Sequence, residues 1–275
     1  MMFLNLKGNL RSLEQPVIMG IANFTEDSFF DGGQYNTIDE LLKRVETLLE
    51  EGADIVDLGA VSTRPGAKDL DEKEEFNCIK LATKAIIKNF PDVLLSIDTW
   101  RASVAEMSIH EGAAMINDIS GGTFDKNMIP TISKLKVPYC LMHTTTKPET
   151  MQQNTAYQNI MQSMLFFLGQ QLHQLKTRGV NDIIIDPGFG FGKTLDQNYY
   201  LLNNLEAFFT FNLPVLVGIS RKSMIYNLLK TTPQEALNGT TILNTIAVLK
   251  GAHILRVHDV KEAKEVVKMV RKMAN

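Results

Sequence analysis

Cysteine, long apolar runs and concentrated basic charge are all scarce in this chain. Only two cysteines occur in 275 residues, Cys78 and Cys140, far apart in the chain. That excludes a disulfide framework or a thiolate zinc site, and it predicts two buried thiols in a reducing cytoplasm. No apolar run approaches the ~20 residues of a membrane span, and Met1 to Pro16 lacks a signal-peptide layout. A cytoplasmic globular protein without a membrane partner is therefore expected. Net charge is -3, with the lysines and arginines spread along the chain. Phosphate neutralisation needs a concentrated basic face, so nucleic acid is excluded as a partner.

What is present is a repeated alternation. Eight short, β-branched apolar runs each precede a helical pattern: Pro16–Ala22, Asp54–Leu58, Val93–Ile97, Met115–Asn117, Pro138–Met142, Asp182–Ile185, Pro214–Ile219 and Ala252–Val257. Ile183-Ile184-Ile185 and Val215 to Ile219 are apolar on both faces, as in strands of a parallel sheet covered on both sides. Among the helices, Thr37 and Glu40 are spaced as a capping box, and Ile38, Leu41, Leu42, Val45, Leu48 and Leu49 trace one face before a stop at Gly52. Asp259 with Glu262 opens the last helix in the same way, with Ala263, Val266, Val267 and Val270 on its apolar side. The stripe Met161, Met164, Leu165, Leu168, Leu172 and Leu175 reads as core packing.

Eight βα units without a linker predict an α/β fold, residues 1–275 forming one (β/α)8 TIM barrel domain. An open doubly wound sheet would carry a Gly-rich phosphate loop after its first strand, but here that strand runs into Asn23-Phe24-Thr25. Residues before Pro16 are expected to form a short hairpin closing the barrel bottom.

Every predicted strand ends in polar side chains: Asn23, Asp57, Asp98, Asn117, His143, Asp186, Ser220-Arg221-Lys222, and Arg256 with His258. Any one of these is unremarkable, because strand ends meet solvent. All eight together imply one shared polar mouth, since a barrel's strand C-termini converge on one face. Asp98, Asn117 and Asp186 suit a planar heterocycle with adjacent N–H donors, such as a 2-amino-4-oxo pyrimidine ring. Arg256, His258 and Arg64 suit phosphate oxygens. Asn23 offers a neutral oxygen of the kind that can join Mg2+ when phosphates complete its shell. Three glycine-bearing loops frame the ring: 25–33, 62–66, and Pro187 to Lys193, where Gly alternates with Phe. That last segment fits a phosphate loop, a ring-stacking wall or a plain strand-to-helix connection.

Several of these segments share a pattern. Asn23-x-Thr25-x-Asp27-Ser28-Phe29-x-Asp31-Gly32-Gly33 resembles the first loop of dihydropteroate synthases, and Ser62-Thr63-Arg64-Pro65-Gly66 resembles their second. Asp186 to Lys193, Ser220-Arg221-Lys222-Ser223 and Arg256-Val257-His258-Asp259 complete the set in family order. The resemblance implies condensation of (7,8-dihydropterin-6-yl)methyl diphosphate with p-aminobenzoate, giving 7,8-dihydropteroate and diphosphate for folate synthesis, in a homodimer. It implies that Asp98, Asn117, Asp186 and Lys222 hold the pterin, bordered by Met142 and Phe191, with Arg256 partly stacked on it. It further implies Asn23 as the Mg2+ ligand, and Thr63, Arg64, Arg256 and His258 on the diphosphate. Phe29, Pro65, Lys222 and Ser223 would form the p-aminobenzoate pocket. Asp98, Lys222 and Arg256 stand nearest the chemistry, with Asp57 and His143 as supports. Ser223 is expected to open a short helix through Leu229.

Three segments depart from the family pattern: Glu26 in place of proline, Ala60-Val61 in place of Gly-Glu, and Thr144-Thr145-Thr146 after His143, although Met142 and Met151-Gln152 fit. Three other functions share part of this pattern. A methyltetrahydrofolate:corrinoid methyltransferase reads pterin with a comparable Asp/Asn/Asp set but needs no diphosphate half. A pterin-binding paralogue without turnover is a second. A Schiff-base aldolase using Lys222 lacks a carboxylate-lysine pair at paired strand ends.

Overall fold

The computed structural model describes residues 2–24, 34–60, 70–151 and 155–274. It opens with an antiparallel hairpin of β1 (Phe3–Leu6) and β2 (Asn9–Ser12). Lys7 and Gly8 between them both have positive φ, 51° and 82°, as a two-residue type I′ turn requires.

Eight parallel strands follow: β3 (Val17–Asn23), β4 (Ile55–Gly59), β5 (Leu95–Asp98), β6 (Met115–Asp118), β7 (Tyr139–Met142), β8 (Ile183–Asp186), β9 (Leu216–Val217) and β10 (Ile254–Val257). Each lies within the run expected for it, to within a residue or two at the ends. They pair in sequence order from β3 to β8, while β10 lies between β9 and β3. A parallel bridge between Ile185 and Val215 closes the ring. Outside it lie α1 (Gln34–Glu50), α2 (Glu72–Asn89), α3 (Ala102–His110), α4 (Met128–Leu135), α5 (Ile160–Thr177), α6 (Leu195–Asn203), α7 (Ser223–Leu229), α8 (Leu237–Leu249) and α9 (Val260–Ala274). A 3-10 helix at Leu205–Phe211 follows α6. This is the TIM barrel that the alternation predicts.

The strands are apolar on both faces because each face meets a different core. Outward residues such as Ile97, Ile116, Leu141, Ile185 and Leu255 pack against the helices in one cluster. Inward residues at the N-terminal end, Val17, Met19, Ile55, Met115, Cys140, Ile184, Leu216 and Ile254, form a second cluster with Leu4 and Leu6 of the hairpin. The hairpin is therefore the barrel's lower plug. Asp54 ties it in place, accepting from Arg11 at 2.5 Å, Lys264 of α9 at 2.6 Å and the Ile18 amide at 2.8 Å.

The helix ends differ from expectation in two places. Helix α1 begins at Gln34, so Thr37 lies inside the helix rather than capping it. Asp259 precedes α9, but its carboxylate is taken by Arg221 rather than by a capping bond. A capping box does occur at Thr194 and Gln197, opening α6. The Met-rich stripe of α5 lies in the core, with Met164, Leu168, Leu172 and Leu175 buried and Met161 and Leu165 packed against it. Cys140 is buried as expected, whereas Cys78 is only half-buried. Among the described residues, no helix is long and apolar enough to cross a membrane.

Candidate active site

Alternation along each strand decides which polar ends enter the barrel. In β6, Met115 belongs to the inner core and Ile116 to the outer, so Asn117 points inward and Asp118 outward. Asp118 accordingly leaves the mouth and binds the Tyr139 hydroxyl at 2.6 Å and the amides of Ser120 and Gly122. By the same period Asp57, Asp98, Asp186 and Arg256 sit one layer above the apolar floor.

There they form a buried charged network. Arg256 donates through Nε to Asp57 Oδ2 and through Nη2 to Asp98 Oδ2, both at 2.6 Å. Asn117 Nδ2 donates to the same Asp57 oxygen at 3.1 Å. Asp57 is fully buried and Asp98 is 7% exposed. Burial pushes Asp98 up to about 7, against the pull of Arg256. Burial opposes the charge on Arg256 too, but Asp57 and Asp98 raise its pKa above the ordinary arginine value. Two buried oxygens in this layer, Asp57 Oδ1 and Asn117 Oδ1, have no hydrogen-bond partner among the described residues. Buried acceptors are rarely left so.

One wall of the mouth is apolar. Met142 and Phe191 cluster with Trp100, Ile119 and Met151. Lys222 Nζ sits 4.6 Å from the centre of the Phe191 ring and donates to the Phe189 carbonyl at 2.5 Å. Burial lowers Lys222 to about 8, although Asp186 pulls the other way. Asp186 is raised by burial, with Lys222 opposing, and its Oδ1 accepts from the Gly188 amide at 2.7 Å.

The Gly-Phe segment is built around a buried lysine. Lys193 Nζ reaches the carbonyls of Gly188 at 2.8 Å, Phe191 at 2.9 Å and His143 at 3.3 Å, tying the ends of β7 and β8 together. Gly188 has φ +68°, and a Cβ there would lie 2.2 Å from the His143 carbonyl oxygen. Only glycine lets the segment pass so close. Thr144 Oγ1 turns the chain back by donating to the Thr146 carbonyl, and Met151 then returns to the apolar wall.

On the opposite rim, Ser220 and His258 face each other, Oγ to Nδ1 at 3.0 Å. Burial, then Arg256, lowers His258 to about 4, so in the free chain it is neutral. Arg221 binds Asp259 through Nε and Nη2 at 2.9 and 2.8 Å, and its Nη1 donates to the carbonyls of Pro233 and Gln234. It is thus a strut rather than a ligand group. Ser223 opens α7, which ends at Leu229 as expected.

The structure therefore brings Asp98, Asn117, Met142, Asp186, Phe191, Lys222, Arg256 and His258 to one end of the barrel. Asn23 stands exposed on the same rim, paired in register with Gly59. The division into a heterocycle half and a diphosphate half is less clean than the sequence suggests, because Arg256, expected on the diphosphate, is bound to Asp57 and Asp98. Phe29, Thr63, Arg64 and Pro65, with Glu26 and Val61, lie outside the described residues, as does Gln152. Sequence reasoning missed Trp100, Ile119 and the clamp by Lys193. A single tryptophan two residues beyond Asp98 was the one available signal for the first.

A closed barrel with a buried Asp/Asn/Asp set beside an aromatic wall defines a class, the pterin-binding barrels. Residues 19–258 match the family described as pterin binding enzyme. The chain is 44% identical to the dihydropteroate synthase of Clostridium beijerinckii, over 93% of each chain. A crystal structure of the Yersinia pestis dihydropteroate synthase with a sulfonamide superposes with a TM-score of 0.92, at 40% identity over 99% of each chain. That of Xanthomonas albilineans with 4-aminobenzoic acid gives 0.91, at 31% identity over 99% of this chain and 98% of that one. The chain belongs to the dihydropteroate synthase family. Neither the methyltransferase nor the paralogue without turnover is favoured by these matches.

Proposed function

We propose that this chain joins (7,8-dihydropterin-6-yl)methyl diphosphate to p-aminobenzoate, releasing diphosphate and forming 7,8-dihydropteroate for folate biosynthesis. The observation that carries this reading is the pairing of unsatisfied buried acceptors with an apolar wall at one barrel mouth. Asn117 Oδ1, with Asp186 Oδ2 and Asp98 Oδ1 beside it, suits the amino and ring N–H groups of a pterin, while Asp57 holds Asn117 and Arg256 in place. Met142 and Phe191 suit its faces. Lys222, over the Phe191 ring, lies where the pterin carbonyl and the incoming p-aminobenzoate would meet, and Ser223 opens a helix at that side.

Bond breaking then needs no protein nucleophile. The electron-rich pterin stabilises the methylene carbon as its C–O bond ionises and diphosphate departs with the bonding pair; the p-aminobenzoate amine then attacks that carbon and loses a proton to solvent. Arg256 and His258, with Thr63 and Arg64, are placed in this reading at the leaving group. The donor set suits Mg2+ only as a diphosphate companion: Asn23 is one neutral oxygen, and no cluster of three or more His, Cys, Asp or Glu occurs among the described residues. When bound, Mg2+ would supply charge stabilisation on the diphosphate oxygens.

A homodimer in the cytoplasm belongs to the same reading. Its support is the exposure of Leu228, Leu229, Ile242 and Leu249 on α7 and α8, and of Met269 and Met273 on α9. The decisive experiment measures diphosphate release from the pterin diphosphate with and without p-aminobenzoate and Mg2+. Release that depends on p-aminobenzoate is expected. None at saturating substrate would overturn the reading.

A further inference from the structure

We propose that Ser220 is a positioning residue that fixes His258 as its Nε2–H tautomer, so that the imidazole meets the departing diphosphate as a neutral N–H donor. The proposal deepens the function above and rests on it for the identity of the anion.

Ser220 follows β9 and is 3% exposed. Its Oγ accepts from the His258 backbone amide at 3.1 Å and lies 3.0 Å from His258 Nδ1. Both contacts are to one residue, 38 positions later in the chain. Among the described residues, Ser220 Oγ has no other hydrogen-bond partner. A hydroxyl has one proton to give, and here Nδ1 is the acceptor within reach.

Two tautomers can be compared directly. With the proton on Nδ1, Ser220 Oγ would receive two N–H groups and its own proton would be buried without an acceptor. That arrangement leaves a buried donor unsatisfied and is disfavoured. With the proton on Nε2, the hydroxyl donates to Nδ1 and every group in the pair is satisfied. The second state is favoured, and it leaves Nε2–H without a partner among the described residues. His258 itself is only half-buried, so the ring is partly open to solvent at the rim.

The surroundings keep the ring in place and uncharged. Arg44 of α1 donates to the His258 carbonyl at 2.5 Å, pinning the backbone from the helix side. Burial disfavours the imidazolium first, and Arg256, Arg221 and Arg44 add to this; Asp259 alone opposes it, with both carboxylate oxygens already on Arg221. A neutral donor can stabilise charge growing on a leaving oxygen without giving up a proton. The negative ion then leaves without waiting for a proton transfer.

The test is nitrogen-15 NMR on histidine-labelled protein, free and with inorganic diphosphate. Comparison with His258→Asn assigns the signal among the five histidines. A pyridine-like Nδ1 and a pyrrole-like Nε2 are expected near neutral pH in both states. Ser220→Ala should mix the tautomers and raise KM for the pterin diphosphate about tenfold, leaving KM for p-aminobenzoate unchanged. Ser220→Thr should restore the wild-type tautomer and KM. Should Ser220→Ala fail to fold, the wild-type and Ser220→Thr spectra carry the test. A protonated Nδ1 in the wild type, an imidazolium in the diphosphate complex, or an unchanged tautomer in Ser220→Ala would overturn the proposal. The expected tautomer without any condensation activity would count against the function and still support the positioning role.

Discussion

Asp57 and Arg256, 199 residues apart in sequence, meet in an ion pair of 2.6 Å whose carboxylate is sealed from solvent. The same guanidinium holds Asp98, and the same Asp57 oxygen holds Asn117. Four strands are thereby joined at the mouth by one arginine and one aspartate. Asp57 thus shapes the site through the groups it orients.

Removing Asp57 should be expensive for the fold. Asp57→Ala leaves Arg256 buried against a single carboxylate, and a broken buried pair costs about 3 kcal/mol or more. Chemical denaturation should show that loss, with a smaller one for Asp57→Asn, which keeps the side chain's shape. Wild-type stability in Asp57→Ala would contradict the network's structural role.

Asp186 should behave in the opposite way. Its charge is buried at a cost, its pKa is raised, and one oxygen is left for a ligand. Asp186→Ala should abolish pterin binding by calorimetry while shifting stability by no more than about 1 kcal/mol. Phe29→Ala should instead raise the p-aminobenzoate requirement. Equal loss of pterin affinity in both variants would contradict two separate pockets.

Two glycines in the Gly-Phe segment should differ. Both have positive φ, +68° at Gly188 and +82° at Gly190. An added Cβ at Gly188 meets a backbone carbonyl at 2.2 Å, whereas at Gly190 it meets the flexible Lys222 side chain at 3.2 Å. Gly188→Ala should therefore lower the melting temperature more, and it should weaken pterin binding by displacing Asp186. Equal melting temperatures would show that the segment yields more easily than this packing implies.

His143 should make the fold acid-sensitive. Burial, with Lys193 adding to it, lowers His143 from 6.5 to about 3. A depressed folded pKa means stability that is complete above 6.5 and is lost as pH falls towards 3, because the unfolded chain takes up the proton first. At about pH 5 the loss from this residue is about 2 kcal/mol. His143→Gln should shrink the stability difference between neutral pH and that pH by about the same amount. An unchanged difference would show that His143 protonates normally in the folded chain.

Much of the architecture was legible without coordinates. β-Branched runs apolar on both faces have few homes outside a covered parallel sheet, and polar ends on all eight pointed to one mouth. The helix starts were less legible: Thr37 has the spacing of a cap but lies inside α1, and Asp259 has the spacing but serves Arg221. Local patterns specify what a side chain can do, while its tertiary neighbours decide which option is taken.

The same holds for the polar ring. Residue order placed Asp57, Asp98, Asn117, Asp186, Arg256 and His258 at strand ends, and side-chain alternation along each strand separated Asn117 inside from Asp118 outside. Only barrel closure decided that Arg256 of β10 lies against β4 and β5, and that Ser220 faces His258. Nor does any periodicity reveal that Lys193 clamps three carbonyls from two loops. Those pairings depend on strand stagger and on the balance between desolvation and ion pairing, and both exist only once distant strands are packed together.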